Sequence, residues 1–132
     1  MKMLTEKDWA RAKRLMEMGK EFFYIGFYLD ILGNWILKIG TTNDLAERMT
    51  QHNRNNPKLT HHPMMPGTEF HYLWFVPLSK YNSLRIEDQT KARFKEMGFG
   101  EYIRNDRFLF TEPPAQVEVI VKKTYTIPIC AI

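Results

Sequence analysis

The sequence predicts a small α+β domain, an α/β sandwich in which helices flank a mainly antiparallel sheet. Two segments rich in strand-forming residues, 21–30 and 35–40, are separated by a short turn, and strands joined so closely must pair antiparallel. Segments with helical periodicity precede and follow this hairpin. We therefore expect a three-stranded sheet flanked by helices, with an added N-terminal helix and a C-terminal strand.

Length and composition describe one domain with an ordinary hydrophobic core. The chain has 132 residues, of which 44% are hydrophobic and 14% aromatic, so disorder is excluded as its general state. We expect residues 1–132 to form a single domain with a core of about residues 22–110. A single cysteine, Cys130, excludes an internal disulfide and, with only four histidines, speaks against a structural zinc site.

Charge narrows the function classes only slightly. Lys and Arg number 19 against 15 Asp and Glu, and the net charge of +4 permits a nucleic-acid partner without requiring one. No apolar run reaches the roughly 18 residues of a membrane span, and charged residues within positions 1–8 interrupt any signal-peptide core. We expect a cytoplasmic protein with no membrane partner.

Helix caps and strand composition predict the remaining elements. The expected order is an N-terminal helix at residues 5–20, the hairpin, a helix through Asn53, a strand at 69–76, a helix at 84–97 and, within a C-terminal extension at 113–132, a strand at 116–122. Thr5 with Asp8 has the pattern of a helix N-cap, and residues 41–44 have the composition that starts a helix. Residues 107–110 form an aromatic segment to which no element is assigned.

Period-two alternation divides the first strand into two faces. Phe23, Ile25, Phe27 and Leu29 form one apolar face, while Tyr24, Gly26 and Tyr28 form the other. On the returning strand, Lys38 and Gly40 share a face. Of these side chains, Tyr24 is interpreted as an ordinary half-buried aromatic residue.

Charged side chains beside the apolar faces of two predicted helices are candidates for function. Arg48 and His52 follow the apolar stripe of the helix after the hairpin, and Glu87 lies beside the stripe of the next helix. Charge at the edge of a core is costly unless it is paired or used. An ion pair between Arg48 and Glu87 is the structural alternative, and a surface position at the helix end is the alternative for His52.

The order of these features resembles the GIY-YIG nuclease superfamily. Gly26-Phe27-Tyr28 stands where that family has Gly-Ile-Tyr, Lys38-Ile39-Gly40 stands where it has Tyr-Ile-Gly, and a helical Arg48 and Glu87 follow. The resemblance covers about residues 22–110 and is greatest to the Lys-Ile-Gly variant branch common in phages, viruses and bacteria. The lysine at position 38 removes the usual second tyrosine, as in some nuclease members.

The resemblance implies a divalent-metal-dependent DNA endonuclease, a hydrolase of phosphodiester bonds. Glu87 would hold Mg²⁺ or Mn²⁺, Arg48 would bind the phosphate and stabilise the transition state, and Tyr28 would be the general base. Lys38 would lower the pKa of that phenol and neutralise phosphate charge. The implied substrate contacts are Gly40, Thr41, His52 and Asn105.

A catalytically inactive module of the same fold, binding nucleic acid or protein, is the alternative function. The implied partner is the phosphate backbone of DNA, and the sequence leaves a protein partner or a homodimer open. It does not distinguish DNA from RNA, nor one DNA structure from another. His61, His62 and His71 are interpreted as ordinary loop and strand histidines.

Overall fold

The fold is taken from a computed structural model, in which residues 4–55, 62–78, 80–104 and 106–112 are described. The described elements are α1 (Glu6–Glu17), β1 (Glu21–Leu29), β2 (Trp35–Thr42), α2 (Leu45–Asn55), β3 (His71–Leu78), α3 (Lys80–Met97), β4 (Glu101–Arg104) and β5 (Arg107–Phe110). They confirm the predicted α+β class with an antiparallel sheet. The candidate Asn105 and the predicted strand at 116–122 lie outside the described residues.

The sheet has five strands in the order β3-β1-β2-β5-β4, and the neighbouring strands pair antiparallel. The three predicted strands are β1, β2 and β3. The hairpin of β4 and β5 extends the sheet on the β2 side, where the sequence assigned no element. Its turn includes Asp106, whose φ of 60° lies in the left-handed region that Asp tolerates better than most residues.

Both faces of the sheet are buried, so the molecule has two hydrophobic clusters. The phenylalanine face, which carries Phe23, Ile25 and Phe27, packs against Phe94 of α3. The tyrosine face, which carries Tyr24, Tyr28, Lys38 and Gly40, is packed by side chains of the other two helices, including Ala12 and Leu45. The predicted split of β1 into two faces is confirmed, but Tyr24 is completely buried and the prediction of half-burial was wrong.

Helix α1 begins at the cap that the sequence predicted. The Thr5 hydroxyl accepts a hydrogen bond from the Asp8 N–H at 3.2 Å, and the Asp8 carboxylate accepts one from the Thr5 N–H at 2.8 Å. These two bonds satisfy backbone donors that the first helical turn leaves free. Within the described part of the chain, no helix is long and apolar enough to cross a membrane.

The turn between β1 and β2 is held by Asp30. Its buried carboxylate accepts the N–H groups of Leu32 and Asn34 at 3.0 and 2.8 Å, and it also contacts His62 Nδ1 at 3.2 Å. Asp side chains favour such turns because they bond the backbone a few residues ahead. The contact with His62 attaches the loop before β3 to the hairpin.

Candidate active site

Helix α2 crosses the tyrosine face in an orientation set by contacts at both of its ends. Asp44 caps its start, accepting the Glu47 N–H at 3.0 Å, and the Tyr72 hydroxyl donates to the Leu45 carbonyl at 2.7 Å. Near its end, Asn53 accepts the Phe70 N–H at 2.8 Å. These contacts anchor the helix that carries Arg48 and His52.

Tyr24 and His52 form a buried hydrogen-bonded pair at the centre of the site. The Tyr24 hydroxyl lies 2.7 Å from His52 Nε2, and His52 is only 8% exposed, so the alternative of a surface histidine was wrong. Burial raises the pKa of Tyr24 to about 12, against the opposing charge and hydrogen bond of Arg48. Burial, reinforced by the Lys38, Arg107 and Arg48 charges, lowers the pKa of His52 to about 3. Both partners are therefore uncharged at neutral pH.

Tyr28 lies on the same face but has different neighbours. Its hydroxyl donates to the His62 carbonyl at 3.0 Å. Burial raises its pKa to about 12, and the charge and hydrogen bond of Arg107 oppose that rise. Four residues of extended chain, about 13 Å, separate Tyr28 from Tyr24. The structure thus brings Arg48 to Tyr24, a residue that sequence analysis did not select.

Lys38 of β2 is paired with Gly26 of β1, which lies midway between Tyr24 and Tyr28 along that strand. Its Nζ is 3.5 Å from the Asp106 carboxylate, and its side chain is 12% exposed. Burial lowers the pKa of Lys38 to about 8, with Asp106 opposing the shift and Arg107 adding to it. Lys38 is therefore mostly charged at neutral pH and loses its proton in the mildly alkaline range.

Glu87 reaches the edge of the site from α3, on the other side of the sheet. Its Oε2 accepts a hydrogen bond from the Thr41 hydroxyl at 3.1 Å, and Lys91 Nζ lies 4.0 Å from Oε1. Burial raises the pKa of this carboxyl above its ordinary value, against the opposing Lys91 charge and Thr41 hydrogen bond. Among the described residues, the cation paired with Glu87 is Lys91 and not Arg48. The alternative of an Arg48–Glu87 ion pair was therefore wrong.

Asp106 joins the two sides of the site. One carboxylate oxygen lies 2.8 Å from Lys91 Nζ and the other lies 3.5 Å from Lys38 Nζ. Burial alone would raise the pKa of Asp106, but the hydrogen bonds and charges of the two lysines lower it overall. Sequence analysis did not select this aspartate, because nothing local shows that β5 lies beside Lys38.

Gly40 provides the space that Tyr24 occupies. The two residues are directly opposite in the β1–β2 ladder, and a Cβ on Gly40 would lie 2.5 Å from the Tyr24 hydroxyl oxygen and 2.6 Å from Cζ. Real Cβ atoms do not approach other heavy atoms so closely, and the buried ring has little room to move. The glycine that sequence analysis assigned to substrate contact therefore packs directly beneath the Tyr24 phenol.

Gly40→Ala is expected to displace Tyr24 and lower stability together. Overpacking of a buried site costs about 1–3 kcal/mol, or several degrees in melting temperature for a domain of this size. Thermal unfolding followed by circular dichroism would measure that loss, and the ring NMR signals of Tyr24 would report its displacement. An unchanged melting temperature with unchanged Tyr24 signals would contradict the packing described.

One domain family matches most of the chain. The model of the T5orf172 domain matches residues 21–124, which include every site residue from Tyr24 to Arg107. The chain belongs to the T5orf172 domain family. No curated protein and no solved structure matches it. Helix α1 lies outside the region matched to the T5orf172 domain, whereas all five strands of the sheet lie within it.

The donors of this T5orf172 domain fit a magnesium ion better than a metal that needs several protein ligands. Among the described residues, no three His, Cys, Asp or Glu side chains come together as a metal-binding group. Mg²⁺ keeps several of its waters and often binds through one or two carboxylates and a substrate phosphate. Glu87 fits that role, because its half-buried carboxylate is oriented by Thr41. Mn²⁺ prefers similar oxygen donors.

Proposed function

We propose that this T5orf172 domain is a Mg²⁺-dependent DNA endonuclease related to the GIY-YIG nucleases. The observation that carries the proposal is the gathering of a phenol, a guanidinium and an ammonium on one face, with a carboxylate at its edge. Tyr24 and Lys38 lie on one face of the paired strands β1 and β2, the charge of Arg48 on α2 acts on Tyr24, and Glu87 accepts a hydrogen bond from Thr41 at the edge of the site. Phosphodiester hydrolysis uses groups of these kinds.

The charge balance of the site favours a phosphate ligand. The charges that act on the Tyr24–His52 pair are three cations, Lys38, Arg48 and Arg107, and one carboxylate, Glu87. At the edge of the site, Lys91 is paired with the carboxylates of Glu87, Asp88 and Asp106. His52 adds no charge at neutral pH because its pKa is lowered to about 3. Because this excess of positive charge is local, it supports binding to the phosphate backbone of a nucleic acid more strongly than the net charge of the chain does.

Each residue has a role that follows from its position. Arg48 would bind the scissile phosphate through its planar guanidinium, and Lys38 would neutralise further negative charge. Tyr24 would accept a proton from the attacking water, and His52 would hold the phenol in place through the 2.7 Å hydrogen bond. Mg²⁺ held by Glu87 would supply additional charge neutralisation at the phosphate.

The proposal assigns the general base to Tyr24 and not to Tyr28. Tyr24 is the phenol whose pKa the charge of Arg48, the residue proposed to bind the phosphate, acts to lower. The hydroxyl of Tyr28 donates to the backbone of His62 instead. A positive guanidinium beside Tyr24 also stabilises the phenolate, the form in which tyrosine acts as a base.

Cleavage of supercoiled plasmid in the presence of Mg²⁺ tests the proposal. Arg48→Ala and Glu87→Ala are each expected to slow nicking by a factor of about 10² to 10³, the usual cost of removing one group that stabilises the transition state. The matched controls Arg54→Ala and Glu96→Ala remove the same side chains from exposed positions of the same helices and should nick like wild type.

Two outcomes would change the interpretation. Nicking that survives both site substitutions would exclude the proposed mechanism. Salt-sensitive DNA binding by the wild type, without nicking under any divalent metal, would instead favour the inactive nucleic-acid-binding module.

A further inference from the structure

Arg107 is a second guanidinium on the tyrosine face, and neither the family match nor the proposed mechanism assigns it a role. It pairs directly with Lys38 across β2 and β5, and directly paired residues of an antiparallel ladder share a face. Its Nε is buried. Its charge acts on Tyr24, Tyr28, Lys38 and His52, which places it within the same cluster of ionisable groups.

Tyr28 and its surroundings hold Arg107 in position. The Tyr28 hydroxyl donates to the His62 carbonyl at 3.0 Å, and Arg107 lies close enough to the phenol to oppose the rise in its pKa. His62 is itself fixed by the buried Asp30, 3.2 Å from its Nδ1. The chain of contacts from Asp30 to Arg107 is therefore continuous and begins at the hairpin turn.

The tyrosine face thus repeats one arrangement on the two sides of Lys38. The guanidinium of Arg48 acts on Tyr24, and the guanidinium of Arg107 acts on Tyr28, each opposing the rise in the pKa of the phenol. Lys38 faces Gly26, which lies midway between the two tyrosines on β1. A polyanion with regularly spaced charges could contact both guanidiniums at once, whereas a single phosphate beside Tyr24 engages one of them.

We propose that Arg107 forms a second phosphate-binding subsite, for a phosphate of the nucleic-acid backbone other than the one that is cleaved, and that Tyr28 positions it. The inference rests on the proposed function, because it assigns a neighbouring phosphate of the same substrate. It gives Tyr28 a role in binding in place of the catalytic role that the sequence motif implied.

The salt dependence of DNA binding provides the test. Binding of a fluorescent duplex oligonucleotide is measured by anisotropy in EDTA, so that cleavage does not interfere, between about 50 and 200 mM salt. Loss of one phosphate contact in Arg107→Gln should reduce the slope of log K against log salt by about 0.9. Arg107→Lys keeps the charge and should retain the slope. Arg11→Gln, an exposed control on α1, should retain both slope and affinity.

Tyr28→Phe tests the positioning role. Removing the hydroxyl that lies beside Arg107 and bonds to the His62 carbonyl should weaken binding about two- to tenfold with an unchanged salt slope. In an Arg107→Gln background the same substitution should have no further effect, because the residue that it positions is already gone. Thermal unfolding of each variant identifies those that fail to fold, and Arg107→Met, which also removes the charge, replaces Arg107→Gln if that variant is among them.

The outcomes separate this inference from the proposed function. A wild-type slope in Arg107→Gln would overturn the second subsite without contradicting the proposed nuclease function. Additive effects of the two substitutions would overturn the positioning role of Tyr28. A wild-type protein that neither binds nor cleaves DNA would overturn the proposed function and the subsite with it.

Discussion

Tyr24→Phe is expected to reduce kcat for DNA cleavage by a factor of about 10² to 10⁴, the usual contribution of a general base. The phenyl ring fills the same buried space above Gly40, so the substitution removes the hydroxyl and little else. The hydroxyl is the group that lies 2.7 Å from His52 Nε2 and whose pKa the charge of Arg48 acts to lower. Single-turnover cleavage at saturating DNA measures the effect directly.

Two tyrosine variants sharpen that experiment. Tyr28→Phe should raise KM with little change in kcat. If Tyr28 were the base, as the sequence motif implies, the same substitution would instead lower kcat with little change in KM. Tyr102→Phe makes the same chemical change at an exposed side chain on β4 and should cleave like wild type. If Tyr28→Phe loses kcat and Tyr24→Phe does not, the assignment of the base to Tyr24 is wrong.

The pH dependence of kcat/KM should rise by about tenfold per unit below pH 8 and then level off. Below that point Lys38 stays charged, and the fraction of Tyr24 present as phenolate grows because its pKa is about 12. Above the pKa of Lys38, about 8, each further unit of pH loses as much ammonium as it gains phenolate. The two effects cancel, which produces the plateau.

Lys38→Arg distinguishes the titration of Lys38 from that of Tyr24. The guanidinium stays charged across the whole range, so the rise should continue above pH 8. Cleavage measured from about pH 6 to pH 10 on a short duplex substrate would show the difference. A profile that falls steadily above neutrality would exclude the tyrosine base. A plateau at the same pH in Lys38→Arg would show that another group causes it.

Much of the fold could be predicted because its signals are local. The capping residues Thr5 and Asp8, the turn residue Asp30 and the alternation along β1 each act within a few positions of the chain. The hairpin of β4 and β5 could not be predicted in this way. Its strands have four residues each, and their pairing with β2 depends on contacts far away in sequence.

The candidate site was predicted in part. Lys38, Arg48 and His52 do lie together with Gly40, as the motif order suggested, and Glu87 lies at their edge. The choice between the two tyrosines was the difficult step. Tyr24 and Tyr28 share a face, so alternation cannot distinguish them, and the motif spacing pointed to Tyr28.

Local sequence patterns suffice for the α+β class, the hairpin and the face on which Tyr24, Tyr28, Lys38 and Gly40 lie. Only the tertiary structure decided which phenol meets Arg48, and that Asp106 and Arg107 join the site from β5 and its turn. The physical reason is that side-chain alternation is a property of one strand, whereas cross-strand register is set by the packing of the whole sheet. The Tyr24–Gly40 and Lys38–Arg107 pairs exist only in that register.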